Sequence, residues 1–173
     1  MNTITKNISK LVIAIVVAVL AFCLAGCQKE LTGKEAVKEF RSLEPVEVFD
    51  NESLGILSEM LDLTGEMANE SSSDEQLAKY EELLNLQVKL DRICNDLLDL
   101  KGYPKACEEL YNQLAEIARA TQEAADCYER AGFQYSLGNI VTGTKRLAEA
   151  DAWAVKSGWE KYADLTAEMM EQE

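Results

Sequence analysis

Apolar residues recur at alternating three- and four-residue spacing along most of the chain. Leu83, Leu86, Leu90, Ile93, Leu97 and Leu100 form the clearest row. Such spacing keeps one side of an α-helix apolar, the pattern of a bundle or coiled-coil seam. It predicts a helix over 74–101, opened by a Ser73-x-x-Gln76 capping box and closed by Gly102. Pro104 suits the first turn of a following helix over 104–131. There the row is Cys107, Leu110, Leu114, Ile117, Thr121, Ala124, Tyr128 and Ala131, and Gly132 is placed to end it. At 1.5 Å per residue each of these helices is about 42 Å long. The turn between them is short, which makes them antiparallel neighbours.

The flanking segments extend the pattern. Leu54, Leu57 and Leu61, with Ile56, Met60, Leu63 and Met67 beside them, predict a shorter helix over 52–69 that breaks at Ser71-Ser72-Ser73. Toward the C-terminus one stripe runs through Leu137, Val141, Thr144, Ala148, Asp151, Val155, Gly158, Tyr162, Leu165 and Met169, predicting a helix over 134–170. Gly138, Gly143 and Gly158 each cost about 1 kcal/mol relative to alanine in a helix interior, so they serve close packing or a break. Ser157-x-x-Glu160 offers a second helix start, which places the expected kink near Gly158. No strand-like alternation follows Phe49. The expectation is an all-α, antiparallel helical bundle over 51–173, with three long helices and a shorter one.

Residues 27–50 read differently. Thr32-x-x-Glu35 is a capping-box pattern, and a short helix over 33–43 should stop before Pro45. Val46-Glu47-Val48-Phe49 then reads as an extended connector. On this reading 27–50 is a tether that spans about 75 Å when stretched, and Val37 and Phe40 lie outside the core.

The first residues carry a further signal. Lys6 and Lys10 precede a charge-free apolar run over 11–26, which ends in Leu24-Ala25-Gly26-Cys27. A basic start followed by a short apolar stretch is the secretory pattern. The run is shorter than the roughly 20 residues a spanning helix needs. Its last four residues resemble the lipobox of bacterial membrane lipoproteins. The resemblance covers residues 1–27, and beyond them the likeness to small helical lipoproteins is one of general pattern. It implies that 1–26 is a signal peptide and that Cys27, the first mature residue, carries a thioether-linked diacylglyceryl group and an N-acyl chain such as palmitate. The rest would then sit outside the cytoplasm, lipid-anchored at a cell membrane.

Composition narrows the function classes. From Cys27 onward 15 bases face 31 acids, a net charge of −16, which opposes nonspecific binding to nucleic acid or anionic membrane surfaces. Histidine is absent, which removes His-ligated haem, zinc and di-iron sites and every His-based triad. No phosphate-binding glycine loop or nucleophile elbow is present. No catalytic set, metal site or cofactor is therefore expected, and the expected role is binding, interaction or spacing at the cell envelope, with a protein partner there. The alternative is a small ligand or divalent cation held by acids between helices.

Two residues are candidate contacts. Asp151 has apolar helix-face neighbours Leu147, Ala148, Ala154 and Val155; a buried charge needs a partner, so it either contacts a ligand or cation inside the bundle, forms a structural ion pair, or sits at an edge that reaches water. Trp153 falls off the apolar stripe and is either an exposed partner contact or covered by the 52–69 helix or the tether. Cys94, Cys107 and Cys127 would remain once Cys27 is lipidated. By helix rise and spacing, Cys94 and Cys107 sit about 10 Å apart, too far for a disulfide. All three are expected to be free thiols filling apolar space.

Overall fold

The computed structural model describes residue 31 and residues 33–150 and 152–171. Six α-helices lie there: α1 (Gly33–Arg41), α2 (Glu44–Asn69), α3 (Ser73–Leu98), α4 (Glu108–Ser136), α5 (Ile140–Ala148) and α6 (Ala152–Glu171), with a 3-10 turn at Lys105–Cys107 before α4. No strand occurs among the described residues, and the fold is an all-α bundle.

The α3–α4 hairpin forms as its apolar rows predict. Leu83, Leu90 and Leu97 from α3 and Leu110, Leu114, Ile117 and Ala131 from α4 are fully or almost fully buried. Its entry differs by one residue from expectation. Ser72 rather than Ser73 caps α3, its hydroxyl accepting from the Glu75 amide at 3.5 Å. Gln76 turns back instead, its Nε2 donating to the carbonyls of Met67 (3.2 Å) and Glu70 (2.9 Å). One side chain thereby closes the end of α2 while starting α3, satisfying carbonyls that a helix end leaves unpaired.

α4 does not stop at Gly132. It runs on to Ser136, and Gly132 is a contact point: a Cβ there would lie 2.4 Å from Leu83 Cδ2. Gly138 ends the helix in a left-handed conformation (φ 75°), with the Asn139 amide reaching back to the Gln134 carbonyl at 2.9 Å. The single helix expected over 134–170 is therefore two. The break falls between α5 and α6, not at Gly158, because Gly158 is used for packing. A Cβ at Gly158 would meet Ile117 Cγ1 at 2.7 Å, and one at Gly143 would meet the Tyr135 ring at 2.4 Å. Both glycines let the last helices lie directly on α4.

The largest departure is at the start. Val46-Glu47-Val48-Phe49 is helical, not extended, and forms the first turns of α2. Pro45 accounts for both outcomes: it cannot continue α1, and its fixed φ suits the opening turn of the next helix. Val37, Phe40, Val46 and Phe49 are buried, so residues 33–50 belong to the packed core and are not a tether. Phe40 meets Tyr103 edge-on at 6.2 Å, and Tyr103 stacks on Tyr111 at 4.4 Å. These rings fasten α1 over the turn that leads into α4.

Cys94, Cys107 and Cys127 are free, the first two fully buried. Burial pushes the Cys94 thiol up to about 12 and the Cys107 thiol up to about 11, so neither is a ready nucleophile.

Two glycine substitutions should act in opposite directions. Gly65 lies within α2 with no atom within 4 Å of a built Cβ, so Gly65→Ala should stabilise by about 0.5–1 kcal/mol. Gly143→Ala should destabilise by about 1–3 kcal/mol, because the buried Tyr135 ring has nowhere to move. Urea unfolding of both variants beside the parent chain measures the difference.

Candidate functional site

Of the residues singled out from the sequence, Cys27 and Asp151 lie outside the described residues. Trp153 is well exposed (68%), with Lys156 Nζ 5.6 Å from its ring centre. It is not covered by α1 or α2. Lys156 is the charged group that the structure places against Trp153.

It assembles a different group instead, at the end of the bundle where α1 packs. No Cα of α2 comes within 8 Å of one in α6. The space between them is filled by large side chains. Phe49 stacks on Trp159 at 5.6 Å and 17°, and Trp159 meets Tyr162 edge-on at 5.8 Å. Bridging with aromatic rings leaves polar atoms stranded. Among the described residues, the buried side-chain atoms without a hydrogen-bond partner in the protein are Asp50 Oδ1, Ser53 Oγ, Trp159 Nε1, Tyr162 OH and, apart from these, Thr121 Oγ1. Four of the five come from Phe49's neighbourhood on α2 or from Trp159 and Tyr162 on α6. Leaving such a group unpaired costs about 1–3 kcal/mol, so the end of the bundle where they gather is its least satisfied region.

Asp50 is the charged member. Its Oδ2 lies 3.7 Å from Arg41 Nε, and its side chain is only 14% exposed. Desolvation pushes the carboxyl up to about 6, although the Arg41 charge pulls the other way. Tyr162 responds to the same surroundings: burial and the Asp50 charge raise its hydroxyl, while Arg41 and Thr166 oppose them. Arg41 and Thr166 also line an open groove of about 480 Å³, together with Val37, Lys38, Glu47 and Met170. Arg41 thus links Asp50 to a groove that carries two cations and the Glu47 carboxylate. This arrangement can hold a small polar group; it sets no base against a nucleophile.

Little in the sequence announced this site. Asp50 falls at the end of the stretch that reads as a tether, and Tyr162 falls in the apolar stripe of the 134–170 helix. The missing information was that α1 folds onto α6, which puts Arg41 beside Asp50.

No family model matches the chain, no curated protein resembles it significantly, and no solved structure matches it.

The sign of the Asp50 effect follows from its raised value. The folded state holds the proton more tightly than the unfolded chain, whose value is near 3.8. Stability from this group is therefore absent well above pH 6, grows as pH falls through about 6, and is complete below about 3.8. Asp50→Asn should make the protein more stable at pH 7 by up to about 3 kcal/mol. The gap between variant and parent should close by pH 4, as read from denaturant midpoints at each pH.

Proposed function

We propose that this chain is a lipid-anchored, extracytoplasmic binding module without catalytic activity, held at the outer face of a cell membrane and acting on a partner in the cell envelope. The observation that carries the reading is Leu24-Ala25-Gly26-Cys27, placed at the end of a charge-free apolar run behind Lys6 and Lys10. Among the described residues no helix is long and apolar enough to cross a membrane. Attachment on this reading rests on the acyl groups of Cys27, and two or more chains anchor stably where one does not. The first described helix begins at Gly33, with residues 28–32 between it and Cys27 in sequence. That link reaches about 20 Å at full extension, far less than a tether ending at Asp50 would.

A second reading has a specific observation in its favour. The groove lined by Lys38, Arg41, Glu47, Ser42, Asn51 and Thr166 suits a small organic ligand with both anionic and hydrogen-bonding groups. Among the described residues no three acidic or cysteine side chains converge as a metal set, and the cations at the groove's rim favour an anion there over a divalent cation.

Mass spectrometry of the protein extracted from its membrane tests both. The first reading predicts covalent loss of residues 1–26 and a gain of acyl mass on Cys27, with Cys27→Ala showing neither. Unchanged processing and retention of Cys27→Ala would refute it. The second predicts an additional non-covalent mass under native conditions, lost on denaturation.

A further inference from the structure

Beyond the acid-free residues 1–29, the acids of this chain are spread almost evenly, with one exception. From residue 31 onward no acid-free run exceeds eight residues, except 130–148, which holds 19 residues without Asp or Glu and includes Arg130, Lys145 and Arg146. The same stretch is where the bundle leaves apolar side chains uncovered. Of the ten large hydrophobic residues exposed among the described residues, Phe133, Leu137, Ile140 and Val141 lie in this run and Trp153 follows shortly after it. Val141 is the most exposed of all, at 86%.

The packing of α5 fixes which way this face points. Gly143 is pressed against the Tyr135 ring, and the Tyr135 hydroxyl bonds to Thr144 Oγ1 at 3.2 Å. Val141 and Lys145 each stand two residues, about 200° of helix, from Gly143. They therefore project away from α4. Arg130 and Arg146 pair with Asp126 and Glu149 at the borders of the run, at 3.6 and 2.8 Å, which neutralises the nearest acids. Lys145 takes no part in those pairs. An exposed apolar tip flanked by cations is the make-up of a helix that lies in a membrane interface.

We propose that α5 and the preceding turn, with Leu137, Ile140, Val141 and Lys145 at the contact, form a peripheral docking surface for an anionic phospholipid bilayer. The proposal rests on the lipid-anchor reading, since a link of about 20 Å keeps the bilayer within constant reach and makes a weak contact sufficient. Charge selects the face. Almost every other side of this acidic bundle is repelled by anionic headgroups, while this one is not. Charge also disfavours the main competitor, a second copy, which would bring two strongly negative bodies together.

The full chain, extracted with its acyl groups and reconstituted into vesicles, tests this by amide hydrogen exchange. In vesicles of phosphatidylcholine mixed with phosphatidylglycerol, amides of 137–146 should exchange about tenfold more slowly than in phosphatidylcholine alone. Val141→Glu and Lys145→Glu, both at exposed positions, should each abolish that difference. Equal exchange in the two vesicle types, with acyl mass present, overturns the docking surface and leaves the anchor intact. Protection that needs no lipid and rises with protein concentration assigns the face to a second copy and overturns it too. Absence of acyl mass in the same sample removes the anchor reading, and this inference with it.

Discussion

Every other part of the bundle is arranged around α4, which is enclosed on several sides at once. α2, α3, α5 and α6 all pack against it, and its small residues make that crowding feasible. Ala115, Ala118, Ala124, Ala125 and Ala131 are buried, and neighbours close in on Leu83, Tyr135 and Ile117 through glycines that tolerate no Cβ. Close approach multiplies dispersion contacts that are individually tiny. It also has a geometric consequence. Helices gathered around one small-faced partner do not all touch each other, and α2 and α6 are one of the pairs left apart.

That gap explains both the position of α1 and the location of the unsatisfied polar atoms. Phe49, Trp159 and Tyr162 fill the space with rings, and α1 packs against α6 with Phe40 held against Tyr103. Rings fill volume well but carry polar edges, and here Trp159 Nε1 and Tyr162 OH are left without partners. A carboxyl that ionises only reluctantly, next to an open groove, is the chemical consequence of joining two helices that cannot touch.

The hairpin of α3 and α4 was legible because a strict three-and-four spacing and a glycine–proline turn specify it locally. The ends of helices were less so. Gly132 looks like a stop and is a contact, while Gly138 looks like an interior glycine and is the stop. The two differ only in what lies opposite them, which sequence spacing does not encode. Pro45 misled for the same reason: it marks a boundary, but a boundary between two helices looks like one between a helix and a strand-like connector. Asp50 and Tyr162 are 112 positions apart in sequence, and no local pattern relates them.

The central claim is that residues 33–50 are part of the core rather than a flexible lead to it. Denaturant unfolding of a chain beginning at Val48, compared with one beginning at Leu31, tests this most directly. Loss of Val37, Phe40 and Val46 from fully buried positions should remove the cooperative transition or lower stability by more than the roughly 3–5 kcal/mol expected for truncating one buried phenylalanine. An unchanged midpoint and slope in the shortened chain would contradict the account, and would return 33–50 to the role of a tether.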